Sequence, residues 1–525
     1  MGIAMALNVL SFIGIIALCG IAWLTSENRR VMPWRTIAWG IGLQLILGLL
    51  VFQVPVTRSL LVGLSEAINS ILDATEAGAR FLFGPLFVPD GAFVPGPVLA
   101  GRWLARAIAP PYVPVPGDRL GPEFLNLGYV FAFRALPSVI FFSALTALLY
   151  ALGLIQPIIN LFARIFQRTM KLSGAEALSG ASNIFVGIEA TLVVRPYLQH
   201  MTRSELCAIL ASCFGSIAST VLALYAGLLR PVFPNITGHL VSASIMAIPA
   251  CFVVAKIIVP ETQTPLTSGQ KLAETTAPQA IAVSPPVVSS AIPPLQTDAA
   301  PTLAPVDAPE GPPVPQEPPH PQAPPPDDPA YLGPMESIVV GAMDGVKLAV
   351  AIAALLVAIL GLVALVNLFF VNLASLSTST QPFVRGIGNV FQVISLQNLA
   401  GALFLPLTFL TGASLNWPEL WQASRLIGQR LILTEIPSYQ QLAVLSSQGL
   451  LSDHALVVVS YALCGFAHLP SLGIFVGGLV SLVPSRRREI VDLSWKALWA
   501  ATLATLMIGC IAGLYNTGNP TIIGK

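Results

Sequence analysis

The sequence predicts an all-α polytopic membrane protein in which one order of helices occurs twice, with an irregular re-entrant hairpin in each half. Three observations lead there. The 525 residues are 55% hydrophobic and 10% charged, with mean hydropathy +0.77, whereas a soluble domain carries about 25% charged residues. The stretch Gly174–Pro196, GAEALSGASNIFVGIEATLVVRP, is apolar enough for a bilayer, yet glycines break it and Glu189 lies within it. Each side has about 8 to 12 residues before a break, and crossing the core takes about 20, so two half-helices must meet at a tip inside the membrane, lined by protein or water. Interrupted apolar segments also recur in corresponding places on either side of a proline tract, a pattern that marks a secondary transporter's binding site.

The elements follow in order. Leu7–Leu24 makes a first helix, and no cleavable signal is read before it. Arg29, Arg30 and Arg35 precede a second helix, Thr36–Val54; these cations put the loop in the cytoplasm and the N-terminus outside. From Val56 to Arg134 prolines 95, 97, 110, 111, 114 and 116 interrupt the chain, which reads as an outer-face region with amphipathic pieces such as Val62–Ala79. A third helix spans Ala135–Gly153. Gln156–Lys171 sets Arg164, Arg168 and Lys171 against Ile158, Leu161, Phe162, Ile165 and Phe166, an interfacial helix. The hairpin then re-enters, one helix crosses over Ser204–Leu229, and another returns over Leu240–Val259.

Ala277–Pro334 holds 19 of the 45 prolines and no apolar periodicity, so 262–335 is expected to be a disordered, partly polyproline-II cytoplasmic linker. Membrane pattern resumes over Ser337–Phe370. Leu396–Thr411 and Leu426–Tyr439, carrying Glu435, form a second hairpin candidate. Asp453–Val483 is interrupted around Ala467–Ser471; Arg486, Arg487 and Arg488 mark the cytoplasm again, and Leu493–Tyr515 crosses outward, leaving the C-terminus outside. The units are therefore 1–134, a first repeat 135–261, the linker, and a second repeat 336–525. The net charge of +1 gives no bulk attraction to nucleic acid, which is not an expected partner. The six cysteines have no metal-type spacing and read as buried thiols. No metalloprotease or nucleophile motif makes a case for an enzyme.

Several stretches resemble the concentrative nucleoside transporter family: GAEALSGASNIFVGIEATLVVRPYL, VSASIMAIPACFVVAKIIVPET, Gly345–Ala349, RLILTEIPSY, YALCGFAHLPSLGIFVGG and FAFRALPSVIFFSAL. They are collinear and cover nearly everything but the linker and part of the outer loop. The resemblance implies eight transmembrane helices, two opposed re-entrant hairpins in an inverted repeat, a homotrimer in a bacterial-type inner membrane, and nucleoside uptake driven by sodium or protons through elevator-like movement. No cofactor beyond the coupling ion is implied.

Intramembrane carboxylates are costly, about 2.5 to 3.5 kcal/mol even on the lenient scale, so Glu189 and Glu435 face a ligand cavity or a structural partner such as Arg195, Arg430 or a helix end. The resemblance sets Glu435 on ribose hydroxyls, with Ser471 nearby and His468 where the family usually has asparagine. Imidazole donates and accepts as an amide does and also changes charge near neutral pH; a core histidine is the other reading. Gly187, Ile188, Glu189 and Val221 complete the implied substrate set. Asn183, Ser216 and the carbonyls of Val186 and Ile217 match the family's sodium site; the residues alone also allow hairpin capping by Asn183 and Ser216. The hairpin tip is one residue shorter than the family's Gly-Gln-Thr-Glu, Thr434 replaces asparagine, and Ile436-Pro437-Ser438 replaces Phe-Val-Ala, so base preference does not carry over. Two alternatives stand beside nucleoside uptake: a symporter for another small polar solute, and a transport-deficient sensor or scaffold using the proline tract.

Overall fold

The computed structural model describes residues 2–84, 87–88, 130–187, 190–268, 333–516, 518 and 520–524. Within them every regular element is a helix. The proline breaks at 95–116, the linker from 269 to 332 and the hairpin residues Ile188 and Glu189 lie outside the described residues.

The first half comprises α1 (Gly2–Leu24), α2 (Trp34–Phe52), α3 (Pro55–Phe83), α4 (Phe131–Ala151), α5 (Gln156–Met170), α6 (Gly174–Val186), the short α7 (Ala190–Val193), a 3-10 turn (Arg195–His200), α8 (Arg203–Gly215), α9 (Ser219–Leu229) and α10 (Ile236–Ile258). The second comprises α11 (Pro334–Ala374), α12 (Pro382–Phe391), α13 (Leu396–Leu410), α14 (Trp417–Ile432), α15 (Glu435–Ser447), α16 (Asp453–Ala462), α17 (Leu469–Leu482) and α18 (Arg487–Tyr515). α10 and α18 are almost wholly buried, while α11 packs on α4 through Gly341 and Gly345 and buries little of its apolar length. Lipid is as apolar as leucine, so small residues rather than hydrophobicity bring such helices together; Ala497, Ala501, Ala504, Gly509 and Gly513 line buried α18.

Local chemistry places the breaks. Ser173 and Glu176 form a capping box that starts α6, and Thr202 with Glu205 forms another that starts α8. α5 buries Ile159, Ala163, Phe166 and Met170; of the expected apolar face only Phe166 is buried, Phe162 and Ile165 are half-buried, and Ile158 and Leu161 are exposed, and the helix ends at Lys171 in the left-handed region (φ 54°). Its last carbonyls are held from α2: Thr36 Oγ1 donates to Met170 O at 3.2 Å.

One end of the bundle gathers the residues read as cytoplasmic. Lys256 pairs with Glu176 at 2.5 Å and Glu261 at 3.2 Å, Arg203 pairs with Glu27 at 2.8 Å, Lys496 also meets Glu27, and Arg486 donates to Leu198 O at 3.1 Å. Burial raises the affinity of Glu27 for its proton, but the Arg203 and Lys496 donors outweigh this and hold its carboxyl below the ordinary 4.5. At the opposite end the C-terminal segment folds back, with Ile522 and Ile523 buried and Ile523 O accepting from Asn235 N at 3.1 Å.

Six described helices are long and apolar enough to span a membrane, Met5–Leu24, Trp34–Phe52, Phe131–Ala151, Ile236–Ile258, Pro334–Thr378 and Pro484–Tyr515, or seven if α12 and α13, bent by 65°, count as one. Three expectations need correction. Ser204–Leu229 is not continuous; it breaks at Ser216–Ala218, directly after Gly215. The return arm of the first hairpin is a four-residue helix and a 3-10 turn, not a half-helix. In the second half, α13 packs antiparallel on α14, and Glu435 opens a separate helix after Leu433-Thr434. The polar start of α14, Trp417-Pro418-Glu419, hid this arm from a hydropathy reading. The approach is close: Ser424 Oγ donates to Gly401 O at 2.5 Å, and a Cβ on Gly428 would lie 2.4 Å from Ala400 O.

Candidate functional site

The two interrupted pairs, α8/α9 and α16/α17, meet at their breaks. A Cβ on Gly465 (φ +143°) would lie 2.7 Å from Gly215 O, and one on Gly215 would lie 2.1 Å from Cys251 Sγ. Only hydrogen fits at either position. Helix ends, with their orphan donors and acceptors, are thereby brought to one level inside the protein.

Glu435 is the first residue of α15 and is 2% exposed. The Tyr225 hydroxyl on α9 donates to its Oε1, and the Tyr225 ring stacks on Tyr439 with centroids 4.7 Å apart. His468 Nε2 lies 2.6 Å from Oε2 but off the N–H axis, so Oε2 has no aligned donor. His468 is also the N-cap of α17: its Nδ1 accepts from Ser471 N at 3.2 Å, and Ser471 Oγ lies 3.0 Å from both ring nitrogens. Glu435, His468 and Ser471 are thus assembled as expected. Val221 is buried one turn before Tyr225 on α9.

Arg430 is not the partner of Glu435 in a direct pair. Its guanidinium donates to Ala462 O at 2.6 Å, at the C-terminal end of α16, and to Thr505 Oγ1 at 3.0 Å. A cation there complements the helix dipole. Tyr439 supports the same helix end through Ser460 O at 2.9 Å.

The second cluster lies on α6 and α8. Asn183 donates through Nδ2 to Ser212 Oγ at 3.0 Å, while its buried Oδ1 has no partner. Ser216 Oγ donates to Ser212 O at 2.9 Å, and Ile217 O accepts from Ser244 Oγ at 3.4 Å. Val186 ends α6 before Gly187 (φ 67°), so its carbonyl belongs to the last turn, which has no helical partners. Ser179 and Ser182 on α6 also bury hydroxyls without partners. This all-oxygen set suits a small hard cation. The plainer capping reading holds for Ser216, the C-cap of α8, whose N–H and Oγ donate to Ser212 O at 3.2 and 2.9 Å; Asn183 lies inside α6, which Ser173 caps at its start. Arg195, the other suggested carboxylate partner, is exposed.

Tyr225, Ser212 and Tyr439 were missed by the sequence reading. Tyr225 was findable in principle, since a phenol within a wholly apolar run must find a buried hydrogen-bond partner. All six cysteines are free thiols, five of them buried.

Fold and site together define a polytopic helical membrane transporter, with polar groups collected at helix breaks in its interior. Three family descriptions match in order: Na+ dependent nucleoside transporter N-terminus over residues 13–86, nucleoside recognition over 132–232, and Na+ dependent nucleoside transporter C-terminus over 302–513. The nucleoside permease NupC of Helicobacter pylori is 30% identical over 97% of this chain and 98% of its own. An uncharacterized transporter of Haemophilus influenzae is 30% identical over 96% of this chain and 97% of its own. The solved structure of CNTnw in an inward-facing substrate-bound state matches with TM-score 0.71 and 30% identity, covering 97% of this chain and 98% of that one. The chain belongs to the concentrative nucleoside transporter family.

Proposed function

We propose that the protein is a cation-coupled carrier that takes up nucleosides across a bacterial inner membrane. The observation that carries this reading is Glu435: a buried carboxylate at a helix start, with one oxygen on Tyr225 and the other lacking an aligned donor. A carboxylate accepts two hydroxyl donors at once, which suits a ribose diol. Ser471 and His468 stand beside it, with Val221 on the facing helix; the resemblance adds Gly187, Ile188 and Glu189 to the substrate set. The named activity of the Helicobacter pylori relative supports the cargo class.

Asn183, Ser216 and the carbonyls of Val186 and Ile217 fit a sodium ion, because the orphaned Asn183 Oδ1 needs an electrophile and every available donor is a hard oxygen. A bound ion would supply positive charge at the end of α6, so ion and substrate would raise each other's affinity. We read six long helices plus the two interrupted pairs as eight spans, with opposed hairpins, elevator movement and a trimer. Both termini then lie outside and the proline-rich linker in the cytoplasm.

The test is uptake of radiolabelled uridine and adenosine by proteoliposomes, with sodium and pH gradients imposed separately, beside Glu435→Gln. Gradient-dependent uptake lost in that variant supports the reading and identifies the ion. No uptake of either nucleoside by folded protein sinks it.

A further inference from the structure

We propose that the outward side of α5 is a binding site for an anionic phospholipid headgroup, built by Arg164, Arg168 and Lys171 and completed by Arg35 from α2. The inference goes beyond the carrier reading: it needs the membrane but no particular cargo. α5 joins the end of α4 to the start of α6, at the end of the bundle that gathers the residues read as cytoplasmic. Helical periodicity divides it into three strips. Ile159, Ala163, Phe166 and Met170 are buried against the protein. Arg164, Arg168 and Lys171 form a second strip, which is exposed. Ile158, Leu161 and the half-buried Ile165 form a third beside it, with Ile158 43% and Leu161 54% exposed. Water alone would leave that apolar strip without a partner, and hydrocarbon alone would leave the cations without one. The boundary between the two satisfies both.

The charges select the headgroup. Among the described residues no carboxylate pairs with Arg164, Arg168, Lys171 or Arg35, whereas Arg203, Lys256, Arg486 and Lys496 at the same end each have one. A helix C-terminus by itself repels an anion, yet that of α5 is covered. Thr36 donates to Met170 O at 3.2 Å, and Arg35 reaches Thr169 O and Arg168 O at 3.5 Å. Cationic side chains are what remain facing outward. Trp34, next to Arg35, is 70% exposed, which suits an aromatic side chain at headgroup level. A phosphodiester offers acceptor oxygens to such donors, and its acyl chains would lie along Ile158 and Leu161.

The acidic linker is the competing occupant: 277–330 carries Asp298, Asp307, Glu310, Glu317, Asp327 and Asp328 and neither Lys nor Arg. It leaves the apolar strip unexplained. The experiment titrates phosphatidylglycerol and phosphatidylcholine of equal chain length into detergent-solubilised full-length protein, with bound lipids counted by native mass spectrometry. Phosphatidylglycerol should bind the more tightly. Arg164→Gln combined with Arg168→Gln should weaken it about 30-fold and leave phosphatidylcholine unchanged, each cation near an anionic headgroup being worth about fivefold. Arg487→Gln combined with Arg488→Gln, an exposed pair at the same end, should leave the preference as it was. Equal weakening by both pairs, or no preference for phosphatidylglycerol in the wild type, overturns the site. A preference that emerges only after deletion of 277–330 gives the surface to the linker and overturns the lipid as its occupant. None of these readouts involves uptake, so failure of nucleoside transport bears on the carrier reading alone.

Discussion

Interrupted helices occur on either side of residues 269–332, yet the two interior clusters built on them differ in kind. The α6/α8 cluster is uncharged: Asn183, Ser212 and Ser216 share hydroxyls, an amide and helix-end carbonyls, and its orphan is an acceptor, Asn183 Oδ1. The cluster around α15 and α17 is charged and ordered by side chains, with Glu435 clamped between Tyr225 and His468 and Arg430 set behind it on a helix end. Helix breaks therefore supply backbone groups in both clusters, and side chains decide what each can hold. Neutral oxygens suit a cation; a carboxylate suits hydroxyl donors.

That contrast is open to direct attack. The largest effect is expected from Glu435→Gln, which keeps the shape but loses charge-assisted hydrogen bonds, worth about 1.5 to 3 kcal/mol each. Nucleoside kcat/KM should fall about 100-fold while the cation concentration for half-maximal effect moves little; a matching shift in both would erase the distinction between the clusters. Next is Gly465→Ala, whose Cβ would lie 2.7 Å from Gly215 O. Overpacking costs about 1 to 3 kcal/mol, so the detergent-solubilised protein should melt several degrees lower, and an unchanged melting temperature would mean that the breaks do not touch.

Asn183→Ala should raise the cation requirement about tenfold and leave nucleoside binding at saturating cation close to wild type, as measured by cation titration of uptake. Tyr225→Phe should cost about three- to tenfold in nucleoside KM, because Glu435 Oε1 loses its donor. The smallest effect belongs far from both clusters. The Glu27 carboxyl is held below its ordinary 4.5 by Arg203 and Lys496 despite partial burial, so its contribution to stability is complete above about pH 4.5 and is lost as pH falls through the lower native value. Glu27→Gln should flatten that part of the acid melting curve and leave uptake at neutral pH as it was.

Legibility in the sequence followed physical cause. The first two helices, the interfacial α5 and the interruption before α17 were readable, because hydropathy, cation placement and a His-Leu-Pro-Ser break are local signals. The break at Ser216–Ala218 was not, since three small or apolar residues look like helix when only composition is read. The second arm of the α13/α14 pair escaped for the opposite reason: Trp417–Arg425 is too polar to register as membrane, although the structure packs it against Gly401 and Ala400. Glu435, His468 and Ser471 were singled out because a carboxylate in an apolar run demands a partner; Tyr225, about 200 residues earlier in the chain, carries no such local mark.

By itself, the sequence determined that the chain is helical and membrane-embedded, that its apolar pattern is interrupted twice in corresponding places, and which family it resembles. These follow from the cost of placing polar backbone and charge in hydrocarbon, which is paid residue by residue along the chain. Tertiary structure alone decided which interruptions meet, that Tyr225 clamps Glu435, and that Arg430 serves a helix end instead of the carboxylate. Those outcomes depend on contacts between segments distant in sequence, where small residues such as Gly215 and Gly465 set how near two backbones can come.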